Sequence, residues 1–219
     1  MREARAVARS EGPPGAALRA FLAVDVGDAA RRALGAAAQR LAREVRGREV
    51  RWAGAETYHV TLRFLGEIEA ERAAPLARRV AEAVAQVGPF ELRLREVVLF
   101  PSSRRPQVVA ATLEPEPPLV ELAKCVEAAT VREGFPAEAR AFRPHLTLGR
   151  VRDRVHPDVA AAGPLAPSPF RVAEVVLYRS DLLPEGARHT PVERMALGAT
   201  IPRSQPSEGE IHGQERPAP

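Results

Sequence analysis

Apolar positions along the chain alternate between two periods. The run "LRAFLAVDV" (18–26) is nearly continuous and closes at Gly27 and Asp28, which predicts a strand. In the following "AARRALGAAAQRLAREVR", Leu34, Ala38 and Leu41 share one side of a helix for which Asp28 is the expected N-cap. "VRW" and "YHVTLRFLG" read as strands separated by the polar "AGAET", and Leu76, Val80 and Val84, spaced by four, predict a helix over 70–87. The plan then repeats. "FELRLREVVLF" (90–100) and "QVVAATLEP" predict strands around the loop "PSSRRP". "PLVELAKCVEAATVREG" predicts a helix closed by Gly134, a natural C′ residue. "FRPHLTLGRV" follows as a strand with Pro144 near its start, and "FRVAEVVLYRSDL" and "TPVERMAL" as two more. Strands alternate with helices but often come in pairs, so an α+β fold is expected rather than a doubly wound parallel sheet.

The two ends carry little to bury. Residues 1–17 are Ala/Gly/Pro-rich and 201–219 are rich in Pro, Ser, Gly and Glu, so both are expected to be disordered, around one folded domain over 18–200. No apolar run approaches the ~18–20 residues of a membrane span, and the N-terminus lacks the apolar core of a secretory signal. A cytoplasmic protein with no membrane partner is expected, and a monomer.

Composition changes this picture only slightly. Of 32 basic residues only Lys124 is lysine, and the net charge is +4, so the pI of about 10.1 reflects arginine usage. Phosphate-bearing partners are permitted, not required. The single cysteine, Cys125, rules out an internal disulfide and a Cys-rich metal site, and its apolar-periodic setting predicts a buried small side chain.

The chemistry lies in a repeated tetrapeptide. "HVTL" begins at His59 and "HLTL" at His145. With five His and seven Thr in 219 residues, chance supplies about 0.2 His-x-Thr triplets. On a strand, residues i and i+2 share a face, so Val60 and Leu62 would anchor one strand while His59 and Thr61 project together. Leu146 and Leu148 would do the same for His145 and Thr147. Two such strands facing each other would place two imidazoles and two hydroxyls across a groove. In-line hydrolysis of a phosphodiester needs a base on the entering oxygen and an acid on the leaving oxygen. Two histidines with ordinary pKa values of about 6.5 supply both without metal or cofactor. Thr61 and Thr147 are candidate donors to the non-bridging oxygens. Arg143, two before His145, shares its face if the strand stays regular. Arg150, five beyond it, has the wrong parity and reaches the site only from the strand end or after a bulge. Arg63 shares the His59 face by parity. Phe21, Trp52 and Tyr178 are candidate base or ribose contacts, with core packing the alternative for each. His156 in a polar loop, His189 at a sheet edge and His212 in the tail receive no role.

Other readings remain open at this point. A zinc hydrolase would need a third protein ligand, and neither a His-Glu-x-x-His run nor a clustered Asp/Glu set exists. A binding module without catalysis would be expected to show paired aromatics for stacking bases, and aromatic residues are only 5% of the chain. A small cyclic nucleotide-derived phosphate would present the same ring to the two histidines as an RNA end.

Taken together, "RAFLAVDV", "VRWAGAETYHVTLRFLGE", "LFPSSRRPQVVAATLEP", "GFPAEARAFRPHLTLGRV" and "VVLYRSDLLPEGARHTPVERMAL" resemble, over about 20–198, the 2H phosphoesterase superfamily. Within it they are similar to the RNA 2′,3′-cyclic phosphodiesterases, also called 2′-5′ RNA ligase-like proteins. The resemblance implies a bilobal α+β fold, two pseudo-symmetric lobes of antiparallel strands with helices outside and a central cleft. It implies opening of an RNA 2′,3′-cyclic phosphate to a 2′-phosphomonoester without a metal, and 2′-5′ ligation as the reverse of a related step. It also implies that His59 is the proton donor, His145 the proton acceptor and Arg150 a phosphate contact. His189 departs from the pattern, standing where a Tyr is frequent.

Overall fold

A computed structural model describes residues 17–44, 49–152, 157–166, 168–184 and 186–198. The expected leader, apart from Ala17, and the expected tail lie outside these residues, as do His156 and His212. The first half of the chain forms β1 (Ala17–Asp25), α1 (Asp28–Glu44), β2 (Val50–Trp52), β3 (His59–Glu69), α2 (Ala73–Val84) and β4 (Phe90–Phe100). The second forms β5 (Val108–Glu114), α3 (Glu116–Arg132), β6 (Leu146–Val151), β7 (Phe170–Val172), β8 (Glu174–Leu183) and β9 (Gly186–Ala196). Short 3-10 turns occupy 55–57, 70–72 and 159–162.

The strands build two antiparallel sheets, in the orders β3-β1-β8-β9 and β2-β6-β5-β4-β7. This is the α+β class that the paired strands predict. The halves of the chain exchange strands: β2 joins the five-stranded sheet beside β6, and β8 and β9 return to the sheet of β1 and β3. "FRVAEVVLYRSDL", expected as one strand, is therefore two. Phe170 and Val172 are buried on β7 beside β4, whereas Val175 and Leu177 are buried in the other sheet. At the switch, the Ala173 carbonyl accepts from Leu197 N–H at 2.8 Å.

Two further expectations shift. The strand read at 142–151 begins only at Leu146, because Pro144 has no N–H to give the ladder and the ring of His145 bonds back to the Arg143 carbonyl. Asp28 is the first helical residue of α1 rather than its cap; Arg31 N–H donates to Gly27 O at 2.9 Å. The end of α3 is as expected. Gly134 has φ 85°, and Phe135 N–H and Gly134 N–H donate to Thr130 O and Val131 O, the Schellman pattern.

Leu22 and Val24 of β1, Leu34 of α1, Leu76 of α2, Leu122 of α3, Leu146 of β6 and Leu177 of β8 belong to one continuous buried cluster. The opposite face of β1 contributes Phe21 and Ala23 to a second cluster with Val176 and Tyr178. Burial on both faces explains why "AFLAV" is apolar without alternation. Trp52 packs against the main core, while Cys125 is half-buried on α3 rather than fully inside. Among the described residues no helix is long and apolar enough to cross a membrane.

Candidate active site

The two motif strands lie in different sheets, and β3 approaches β6 where the sheets meet. Val60, Leu146 and Leu148 are fully buried, while His59, Thr61, His145 and Thr147 are partly exposed, as the i, i+2 spacing requires. The apolar residues hold each strand and the polar ones project from it.

Both motifs then break register at the same place. Between β1 and β3, Leu22 pairs with Arg63 and Ala23 with Thr61, so Leu62 is skipped. Between β5 and β6, Val109 pairs with Gly149 and Ala110 with Thr147, so Leu148 is skipped. Each is a one-residue bulge at the Leu of His-x-Thr-Leu, and it inverts the inside–outside parity of the residues beyond it. Arg63, expected on the His59 face, is instead turned inward and only 4% exposed. Its guanidinium lies 2.6 Å from Glu127 and 3.1 Å from Glu138 and donates to the Pro136 carbonyl. The place that parity assigned to Arg63 is taken by Phe64, whose ring is 6.1 Å from that of Phe21.

The second bulge acts in the opposite sense for function. Thr147 pairs with Ala110 and Arg150 with Val108, two positions apart on β5, while Val109 between them belongs to the main core. Arg150 therefore shares the face of Thr147 despite its odd spacing. Gly149, inside the turn of the bulge, faces β2. A Cβ there would come within 2.7 Å of Val50 Cγ1 and 3.1 Å of Arg51 O, so only glycine fits without displacing the strand.

The histidines are held alike. His59 Nδ1 donates to Thr57 O at 2.7 Å, and His145 Nδ1 donates to Arg143 O at 2.8 Å, each the carbonyl two residues back. Because a carbonyl only accepts, both Nδ1 atoms carry hydrogen and both Nε2 atoms are left to gain or lose a proton. Each ring also stacks on a phenylalanine: His59 on Phe21 of the neighbouring β1 at 4.7 Å between centroids, and His145, just before β6, on Phe100 at the end of β4 at 4.0 Å. At His59 Nε2 the Thr61 hydroxyl lies 2.9 Å away and donates to the lone pair of the neutral ring. Arg143 is exposed and lies over Phe100, its guanidinium carbon 4.6 Å from the ring centroid, with Nη1 donating to Pro101 O at 3.1 Å.

Burial lowers both imidazole pKa values. His59 falls from 6.5 to about 4, chiefly through desolvation; the Thr57 carbonyl opposes this, His189 adds to it, Asp25 opposes it and Arg31 adds to it. His145 is lowered by desolvation and by the charge of Arg143, against the pull of the Arg143 carbonyl. Three groups in this setting were not anticipated. Asp25 pairs with His59 across the β1–β3 ladder and accepts from Tyr178 OH at 2.6 Å. Phe100 is the ring beneath His145. His189, on edge strand β9, stands perpendicular to His59 with centroids 5.2 Å apart, so a residue read as peripheral walls the site. A polar Asp at the end of an apolar strand was the one visible sign of this arrangement. Phe21 and Tyr178, considered as base contacts, are 2% and 8% exposed and form the floor beneath the histidine instead. Among the described residues no group of three or more His, Cys, Asp or Glu side chains is placed to hold a metal ion.

A family model described as LigT like Phosphoesterase matches residues 24–110 and 113–189. The chain belongs to this family. Of the LigT-like phosphoesterases, an RNA 2′,3′-cyclic phosphodiesterase of Methanothermobacter thermautotrophicus is 30% identical over 185 residues, covering 82% of this chain and 99% of that protein. One of Geobacillus stearothermophilus is 31% identical over 163 residues, covering 73% of this chain; the chain spans only 52% of that relative. Among solved structures, a protein of Thermus thermophilus superposes with a TM-score of 0.69 at 29% identity, covering 84% of this chain and all of the other. E. coli LigT complexed with 3′-AMP superposes with a TM-score of 0.65 at 26% identity, covering 83% and 99%.

Proposed function

We propose that the chain hydrolyses RNA 2′,3′-cyclic phosphate ends to 2′-phosphomonoesters, with His59 as proton donor and His145 as proton acceptor and without a metal. The observation that carries this reading is the matched anchoring of the two rings. Both Nδ1–H groups are committed to a carbonyl two residues back, so the Nε2 atom of each ring is left for proton transfer, that of His59 beside the Thr61 hydroxyl at 2.9 Å. The relatives' names give the substrate class.

In the proposed reaction His145 Nε2 removes a proton from water as its oxygen attacks phosphorus. The P–O3′ bond opposite breaks, and O3′ takes the proton held on His59 Nε2. The products are a 3′-hydroxyl and a 2′-phosphate, with one proton gained and one lost by the protein. Thr61 and Thr147 donate to the non-bridging oxygens; for Thr61 this means turning its hydroxyl from His59 to the phosphate. Arg150 and Arg143 offset the anion's charge. Arg51 lies directly opposite Arg150 in the β2–β6 ladder, an arrangement of like charges that an anion between them would relieve. Replacing Arg150 with Ala is expected to lower kcat/KM by about tenfold or more, since a charge-assisted hydrogen bond is worth roughly 1.5–3 kcal/mol. An unchanged kcat/KM would remove Arg150 from the site.

The pKa directions give a pH signature. Turnover requires His145 neutral, so the acid limb of kcat/KM lies below 6.5, the value from which burial lowers it. It also requires His59 protonated, and a pKa lowered to about 4 leaves only a small fraction of the free enzyme in that state near neutral pH. The expected kcat/KM profile is a bell whose maximum lies below pH 6.5, falling by about tenfold per unit on the alkaline side. The kcat profile is displaced to higher pH, because the bound phosphate anion favours both imidazolium forms. A kcat/KM maximum above pH 7, with chemistry limiting, would contradict the lowering of both imidazole pKa values.

The test of the function itself is hydrolysis, in EDTA, of a short RNA ending in a 2′,3′-cyclic phosphate, with the product isomer identified by phosphorus NMR. A 2′-phosphate is expected. A 3′-phosphate would mean that the wrong bond had been assigned, and turnover abolished by EDTA would mean a metal reaction.

A further inference from the structure

Many arginines of this chain are answered by a nearby acid or carbonyl. Arg63, Arg79, Arg93, Arg179 and Arg194 pair with carboxylates, and Arg31, Arg40 and Arg143 donate to main-chain carbonyls. Arg51 and Arg150 differ. Both are exposed, and among the described residues neither has an ion pair. Arg51 makes one long bond, Nη2 donating to Pro184 O at 3.4 Å in the turn between β8 and β9. The two are also held opposite each other. In the β2–β6 ladder Arg51 pairs with Arg150, between the pairs Val50–Val151 and Trp52–Gly149. Main-chain bonds continue the ladder at both ends, Arg152 N–H to Glu49 O at 2.7 Å and Ala53 N–H to Leu148 O at 2.9 Å. Directly opposite residues share a face with Cβ atoms about 4.5–5.5 Å apart, where like charges repel. The strands cannot slip to relieve this. Val50 is buried and Trp52 packs on the main core, and a shift of one residue would turn both to solvent. Neither the core nor a neighbouring acid therefore accounts for a cation at 51.

We propose that Arg51 forms a second anion subsite, which binds the phosphodiester on the 5′ side of the terminal nucleotide while Arg150 faces the cyclic phosphate. The inference rests on the phosphodiesterase reading and deepens it, since it makes the site one for an RNA end rather than for a free nucleoside 2′,3′-cyclic phosphate. The argument is one of charge and position. A cyclic phosphodiester carries a single negative charge, whereas the β2–β6 ladder presents two unpaired guanidinium groups on one face. Arg150 shares the face of Thr147, and Arg51 lies one strand further out, on the edge strand of the five-stranded sheet. In an RNA that ends in a cyclic phosphate nothing follows the terminal ribose, so the next anion is the phosphodiester on its 5′ oxygen. An open sheet edge leaves room for the strand to continue past Arg51. Arginine suits the task because its planar fork can donate two parallel hydrogen bonds to phosphate oxygens.

The experiment uses two dinucleotides, each a deoxynucleotide joined to adenosine 2′,3′-cyclic phosphate. One has an ordinary phosphodiester linkage and the other an uncharged methylphosphonate, tested as either stereoisomer. Wild type is expected to show a kcat/KM about tenfold higher on the charged compound, most of it in KM, because the linkage is remote from the reacting bonds. Arg51→Gln reduces this preference to within about twofold, and Arg51→Lys keeps most of it. The dependence of log KM on log salt for the charged compound also flattens by about 0.7 in Arg51→Gln, the share of one phosphate contact on a single strand. A wild type without the preference, or an Arg51→Gln variant that keeps it, overturns the subsite. An equal loss on both compounds in Arg51→Gln overturns it too, since Arg51 would then act on the cyclic phosphate. Should wild type turn over neither compound, the phosphodiesterase reading fails separately. Equilibrium binding of the two corresponding dinucleotide 2′-phosphates then decides: a preference for the charged linkage that is lost in Arg51→Gln supports the subsite, and its absence overturns it.

Discussion

His59→Ala and His145→Ala are each expected to lower kcat on an RNA cyclic-phosphate end by about 10²–10⁴-fold, the usual contribution of a positioned acid or base. The reason lies in how the rings are held. An imidazole anchored through Nδ1–H to a carbonyl at 2.7 or 2.8 Å and stacked on a phenylalanine has little freedom to be replaced by another side chain or by water. Neither histidine supports the main core, so the far-ultraviolet circular dichroism of both variants should match wild type. The two losses should not multiply in the double variant, because acid and base act in one concerted transfer. A single variant retaining more than about a tenth of wild-type kcat would remove that residue from proton transfer.

Arg63→Met should show the reverse pattern, a stability loss with chemistry preserved. Arg63 is nearly buried and pairs with Glu127 and Glu138, which are 30% and 51% exposed. Removing the cation leaves two carboxylates and the Pro136 carbonyl without their donor. Since both acids reach water, the full penalty of a broken buried pair does not apply, and a loss of about 2–3 kcal/mol is expected. For a chain of this size that is a fall of roughly 5–10 °C in Tm. At 25 °C kcat/KM should stay within about twofold of wild type, because the bulge turns Arg63 away from His59. A variant with unchanged Tm and a tenfold loss of kcat/KM would place Arg63 on the histidine face and contradict the bulge geometry.

Arg63 also shows where sequence reasoning stops. Most helices and strands were legible from period, but the break within "FRVAEVVLYRSDL" and the start of β6 at Leu146 were not. The His-x-Thr spacing correctly put Val60 and Leu146 in the core with the polar pairs outward. A bulge, however, is a property of two strands in register, and nothing in "HVTLRFLG" by itself signals that Leu62 is skipped. Parity reasoning consequently failed for Arg63 and left Phe64 unnoticed, whereas for Arg150 a bulge was named as one way to the site and is what occurs. The exchange of β2, β8 and β9 between sheets was equally hidden, since partner choice depends on distant residues. It matters for the site because it carries His189 to His59 and Arg51 to Arg150.

The central claim, that one histidine protonates the leaving oxygen while the other activates water, is tested most directly with a cyclic phosphate whose O3′ is replaced by sulfur. A thiolate leaves without needing a proton, so the acid becomes dispensable and the base does not. On this substrate His59→Ala should recover to within about tenfold of wild type, while His145→Ala should remain as impaired as on the oxygen compound. Recovery of His145→Ala instead would exchange the two roles, and equal impairment of both variants would contradict the division of labour altogether.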